Sequence, residues 1–182
     1  MIKFIKILIA AIIVVPFFIL SYIPLFIAFC LKKAGNKNAS ELVINKTAHF
    51  LIRAIFLVLG GKVVVEGIDN IPDSGKLCFI GNHTSLLDCI AVMYPKKVFT
   101  GFIGKVEIKK IPIVNSWFNA LNSVYIDRKS PRDSIKAILQ GSDNIKNGKA
   151  MTIFPEGTRS KDGSVHEFKA GSFKMASRVD AI

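Results

Sequence analysis

Apolar positions fall into two regimes along the chain, continuous near the start and segmented after residue 61. From Ile7 to Leu31 no charged side chain occurs, while Lys3 and Lys6 precede the run and Lys32 and Lys33 follow it. A helix of that length reaches about 37 Å, enough to cross a bilayer. Pro16 and Pro24 interrupt it, and each removes an intrahelical hydrogen bond. The expectation is a bent or re-entrant segment that returns to the cytoplasmic side, since lysines at both ends give no orientation by the positive-inside rule. A cleaved signal peptide is set aside because the run is too long and no small-x-small site follows. Ile27-Ala28-Phe29-Cys30 fails as a lipoprotein site because Phe29 is bulky. A second piece, 41–59, is helical by pattern, with Leu42, Ala48, Ile52, Ile55 and Leu59 on one side and Lys46, His49 and Arg53 on the other. Gly60-Gly61 ends it. Residues 1–60 are therefore expected to form a two-helix membrane-docking module, with a single transmembrane anchor as the alternative.

Beyond the glycines the period changes. Short apolar runs predict strands over 62–66, 77–80, 97–102, 123–126 and 149–154. Helical spacing occupies 86–93, 113–121, about 132–146 with Pro131 at its start, and 172–178. Pro72-Asp73-Ser74-Gly75 marks a turn. Strands alternating with helices predict an α/β domain over 61–182, a mixed, largely parallel sheet flanked by helices with ligands outside the strand ends.

Charge adds a constraint on partners. The 182 residues carry 25 Lys and Arg against 13 Asp and Glu, a net charge of +12. The basic residues are scattered, with no arm or recognition stripe, which argues against nucleic acid. An anionic membrane surface attracts each nearby Lys or Arg by about 1 kcal/mol, and the apolar segment points to lipid independently. Disorder is excluded by the absence of biased tracts. Cys30, Cys78 and Cys89 have no metal-ligand spacing and are expected to be small apolar side chains in a reducing compartment.

Two motifs carry chemistry. In Asn82-His83-Thr84-Ser85-Leu86-Leu87-Asp88, a strand ends at Gly81 and a helix is expected to open near Ser85, with Asp88 about one turn in. A carboxylate there reaches back to the imidazole, fixing its tautomer and leaving the other nitrogen to take a hydroxyl proton. Ser85 and Asp88 also have capping-box spacing, so spacing alone leaves a helix cap open as the alternative. Phe154-Pro155-Glu156-Gly157-Thr158-Arg159-Ser160 follows an apolar strand as a turn. Parallel strands would bring Glu156 and Arg159 to the same sheet edge as His83. Arg159 offers a planar fork suited to phosphate, and Gly157 lets backbone approach a ligand.

The pairing of N-H-x-S-x-x-D with F-P-E-G-T-R-S about seventy residues later resembles the glycerolipid acyltransferase family, most of all its bacterial 1-acyl-glycerol-3-phosphate members. Gly104-Lys105-Val106-Glu107, Ile111-Pro112 and Val124-Tyr125-Ile126-Asp127-Arg128 are similar to the family's intervening block, so the resemblance covers roughly 62–178. It implies His83 as general base for the sn-2 hydroxyl of lysophosphatidate and Asp88 as its orienting partner. It also implies Arg128, Glu156, Gly157 and Thr158 at the glycerol phosphate, with Lys105 and Arg159 on the phosphate itself. No nucleophilic Ser or Cys, cofactor or metal enters this scheme. Acyl-CoA or acyl carrier protein supplies the acyl group as co-substrate, at the inner face of a cytoplasmic membrane. Asn115 and Asn122 stand where the family commonly has glycine, which is expected to alter the local turns. Family members usually continue past the position of Ile182 with a further strand and helices, so the last sheet position is expected to lie outside this chain.

Overall fold

The computed structural model describes residues 15–95 and 97–182, so the start of the apolar run lies outside the described residues. The chain divides into two compact units, one taking in the described residues up to Glu66 with 93–95, the other Gly67–Val92 and 97–182.

In the first unit the chain is helical over 15–20, breaks at Ser21 and resumes as α1 (Tyr22–Lys33). Pro24 has no N–H to offer the carbonyl four residues earlier, and the break falls there. The Ser21 hydroxyl donates to the Phe18 carbonyl at 2.5 Å. After a short connection, α2 (Lys37–Leu59) begins four residues earlier than its apolar pattern indicated, because the Asn36 side chain accepts the Ala39 N–H at 3.1 Å. Gly60, at φ 66, ends it in a left-handed turn, with Gly61 N–H donating to the Phe56 carbonyl at 2.9 Å. The two helices form a hairpin. Ser40 donates to the Ala28 carbonyl at 2.8 Å, and farther along the Phe17 and Phe50 rings lie 6.3 Å apart. Phe26, Phe29, Phe50 and Leu57 stay exposed. Residues Val15–Lys33 and Lys37–Leu59 are each long and apolar enough to cross a membrane by length and composition.

The expected strand over 62–66 does not form. Val64 and Val65 are exposed, and β-branched residues make a strand only where a neighbour completes the ladder.

The second unit is built on a parallel sheet of four strands in the order β1-β4-β2-β3. These are β1 (Cys78–Ile80), β2 (Thr100–Lys105), β3 (Val124–Ile126) and β4 (Ala150–Ile153). The helices are α3 (Asp88–Val92), α4 (Pro112–Ala120), α5 (Pro131–Lys146) and α6 (Ala170–Ser177). The parallel α/β class therefore stands. The β2 strand lies three residues later than expected, because Lys97 belongs to a turn and pairs with Asp73 at 3.0 Å. Pro131 opens α5 and the Ser130 hydroxyl accepts the Asp133 N–H at 3.2 Å, two signals that fix this helix start.

One face of the sheet packs Ile103, Val124, Met151 and Ile153 against Ala137 and Ile145 of α5 and Met175 of α6. The Met175 side chain of α6 packs directly over Gly141. A Cβ there would stand 2.4 Å from the Met175 sulfur. Asn122 takes φ 55, the left-handed conformation that glycine supplies and asparagine tolerates, so the turn is kept. Asn115 accepts a hydrogen bond from the Tyr125 hydroxyl. Ile182 lies along the outer edge of β1, its N–H donating to Lys76 at 2.8 Å and its carbonyl accepting Cys78 N–H at 2.9 Å.

Candidate active site

Because all four strands are parallel, their carboxyl ends share one edge, and both motifs leave from it. Ile80 is in register with Ile153 on the adjacent strands β1 and β4. Three residues beyond each lie His83 and Glu156, and the His83 N–H donates to Glu156 Oε1 at 2.7 Å. The chain thus carries strand register into the two loops. On the other side of His83, its carbonyl accepts the Ser160 N–H at 2.7 Å. The backbone of His83 is clamped from both sides by the Phe154–Ser160 turn.

The imidazole is held as firmly. Asp88 Oδ2 lies 2.9 Å from His83 Nδ1 and also accepts the Thr84 and Ser85 N–H groups at 2.7 and 2.8 Å. The Phe154 ring stacks on the imidazole at 4.3 Å and 13°. Partial burial pushes the Asp88 carboxyl up, but hydrogen bonds from Ser85, the His83 ring and Thr84 outweigh it and hold the group below its ordinary value. With Asp88 ionised, a proton on Nδ1 is the tautomer that satisfies the contact, which leaves Nε2 as the acceptor. Helix α3 opens at Asp88, three residues later than expected. The carboxylate therefore folds back from the first helical residue over the loop it caps. Capping and imidazole contact are made by the same oxygen.

Glu156 departs from its expected place at the glycerol phosphate. It is 4% exposed, Oε1 holds His83, and Oε2 accepts the His166 N–H at 3.3 Å. A buried carboxylate with both oxygens committed is a brace for the loop. Gly157 has φ 72, a left-handed turn that glycine adopts without strain. Thr158 and Arg159 are exposed beyond it. Lys105 ends β2 and Arg128 lies two residues past β3, both exposed on the same edge. Desolvation lowers the Arg128 guanidinium below its ordinary value, while the Glu107 carboxylate works the other way. Among the described residues no three His, Cys, Asp or Glu side chains converge as a metal site.

Three contributors were not singled out by the sequence. Phe154 and Ser160 flank the polar heart of the second motif, and their place in it was the available signal. Lys169, whose N–H donates to the Pro155 carbonyl at 3.1 Å, had none, since the loop between them is not marked by either motif.

Fold and edge together define a parallel α/β protein with a carboxylate-held histidine at the strand ends, bordered by exposed cations. A family model described as Acyltransferase matches residues 62–182, and the chain belongs to that family. It is 30% identical over 125 residues to a 1-acyl-sn-glycerol-3-phosphate acyltransferase of Borreliella burgdorferi, covering 69% of this chain and 50% of that protein. To a probable 1-acyl-sn-glycerol-3-phosphate acyltransferase of Mycoplasma pneumoniae it is 28% identical, covering 93% and 65%. The crystal structure of the 1-acyl-sn-glycerophosphate (LPA) acyltransferase PlsC from Thermotoga maritima superposes with a TM-score of 0.75 at 28% identity, covering 97% of this chain and 72% of that one. The chain spans half of the Borreliella relative and a third, 33%, of the chloroplastic LPAT1 of Arabidopsis thaliana.

Proposed function

We propose that this chain transfers a fatty acyl group from a thioester, acyl-CoA or acyl carrier protein, to the sn-2 hydroxyl of 1-acyl-glycerol-3-phosphate, giving phosphatidate. The observation that carries the reading is the 2.9 Å contact between Asp88 and His83 Nδ1 at the carboxyl edge of the sheet. His83 Nε2 takes the hydroxyl proton as the oxygen attacks the thioester carbonyl. The C–O bond forms, the C–S bond breaks as the tetrahedral intermediate collapses, and the proton passes from the imidazolium to the departing thiolate. Asp88 orients the ring and stabilises the imidazolium. Glu156, Ser160 and Phe154 act as positioning residues that fix His83. Lys105, Arg128, Thr158 and Arg159 line the edge where the acceptor's phosphate binds, and Gly157 forms the turn that carries the last two. The scheme uses no cofactor and no metal. The α1–α2 hairpin offers exposed apolar faces to a bilayer, which supports residence at the cytoplasmic face of the membrane where the lipid acceptor is found.

The test is acceptor choice. Purified full chain in phospholipid vesicles is given radiolabelled acyl donor, once as the CoA thioester and once as the carrier-protein thioester, with lysophosphatidate or lysophosphatidylcholine. Phosphatidate formed from lysophosphatidate with at least one donor supports the reading. Preferential acylation of lysophosphatidylcholine, or no acylation of either lipid, overturns it.

A further inference from the structure

Lys169 lies nine residues past the second motif, and the fold brings it back over the Glu156–Arg159 turn. Its N–H donates to the Pro155 carbonyl at 3.1 Å, and its own carbonyl accepts the Ser172 N–H at 2.9 Å as α6 begins. With the backbone tied at both points, the side chain runs across the face of Gly157. A Cβ built on that glycine would stand 3.6, 3.3 and 2.9 Å from the Cδ, Cε and Nζ atoms of Lys169. The stem therefore packs on the glycine and brings the ammonium against the turn that continues into Thr158 and Arg159. Glycine is favoured at 157 for its positive φ, and the lysine stem occupies the side where a Cβ would stand.

The ammonium is not consumed by a structural ion pair. The carboxylate within the turn, Glu156, already accepts two backbone N–H groups, and Glu167, two residues before Lys169, makes no ion pair with it. Among the described residues no carboxylate lies within 4.0 Å of Lys169. A lysine is a compact point charge with three rotatable donors, suited to a phosphate whose oxygens it can address from one side while an arginine fork takes the other.

We infer that Lys169 is a specificity-determining residue that binds the phosphate monoester of the acceptor together with Arg159. The inference rests on the acyl-acceptor reading of this edge and adds the group that distinguishes a dianionic phosphate monoester from a zwitterionic diester head. A phosphate monoester carries close to two negative charges near neutral pH, so a second cation on the turn that carries Arg159 favours it over a lipid whose head group brings its own positive charge.

Three substitutions separate charge from packing. Lys169→Met keeps an apolar stem over Gly157 and removes the charge. Lys169→Arg keeps the charge, and Lys169→Ala removes both. The Met and Ala variants are expected to raise KM for lysophosphatidate by about tenfold or more, with a far smaller change in kcat and none in thermal midpoint for Met. The preference for lysophosphatidate over lysophosphatidylcholine falls by the same factor, and Arg restores most of it. A Met variant with wild-type KM and wild-type acceptor preference overturns the inference and leaves Lys169 a packing residue. Calorimetric titration of the proteins in detergent micelles with lysophosphatidate, without donor, gives a second readout independent of turnover. If wild-type protein binds lysophosphatidate, loses that binding in the Met variant and makes no phosphatidate, the phosphate site stands and the catalytic reading fails. Equal binding by wild type and the Met variant sinks the site whether or not the chain is active.

Discussion

Replacing Asp88 by Asn separates two jobs that one oxygen performs. Oδ2 caps the loop by accepting the Thr84 and Ser85 N–H groups, and the same atom faces His83 Nδ1 at 2.9 Å. An amide oxygen can keep the caps but carries no net charge. In the transition state the imidazole becomes an imidazolium whose charge centre is about 4 Å from that of the carboxylate, an attraction of about 4 kcal/mol at an effective dielectric constant near 20. Since each 1.36 kcal/mol in the barrier is a factor of ten, Asp88→Asn is expected to lower kcat about a thousandfold and to leave the thermal midpoint near the wild-type value. Asp88→Ala loses the cap as well, and is expected to cost about 1 kcal/mol of stability in addition. Phosphatidate formation and thermal unfolding are measured on the same preparations. An Asn variant within tenfold of wild-type kcat would refute the reasoning and leave Asp88 a helix cap.

Other outcomes follow from the packing and the charges. Gly141→Ala puts a methyl group where the Met175 sulfur lies 2.4 Å away; thermal unfolding should show a loss of about 1–3 kcal/mol, and an unchanged midpoint would mean α6 is not seated as described. Asp88 and Asp162 are both held below the ordinary carboxylate value of 3.8, Asp162 chiefly by the Ser164 hydroxyl and N–H and the Ser160 hydroxyl. The unfolded chain takes up these protons first as pH falls, so the stability they supply is complete above 3.8 and is lost on going down through the lower folded values. Urea unfolding across that range should show a shallower acid loss for Asp162→Asn than for wild type. Burial pushes the Cys78 and Cys89 thiols up to about 11, with the Asp88 charge adding to the effect at Cys89. Both should resist alkylation at neutral pH in folded protein and react on unfolding, as read by mass spectrometry.

Much of the sheet was legible because each of its strands is a short apolar run closed by a turn residue. Gly81 and Pro155 marked the loops that carry the site, and Pro131 with Ser130 placed the start of α5. The 62–66 run failed as a strand because its valines have no neighbouring strand, a fact of tertiary arrangement that no local pattern holds. Helix α3 began late because the Asp88 carboxylate folds back onto the Thr84 and Ser85 N–H groups and holds the intervening residues as a turn, leaving Asp88 as the first helical residue. Within the site, spacing could pair His83 with Asp88 but could not reveal that the register of β1 with β4 extends into the loops. That extension is what turns Glu156 inward as a brace and aligns Ser160 with His83. The stacking of Phe154 on His83 depends on the same closure, so the motif could mark Phe154 but not its role, and the return of Lys169 to the turn had no local signal.

In the proposed mechanism His83 removes the acceptor proton, with no acyl-enzyme on the way. Wild-type chain and His83→Ala in identical vesicles, given lysophosphatidate and radiolabelled acyl thioester, test it most directly. Wild type is expected to form phosphatidate, the variant to lose at least about a thousandfold, and no label is expected to stay on protein when acceptor is withheld. Phosphatidate formation by His83→Ala at the wild-type rate, or a stable acyl-protein, would contradict it.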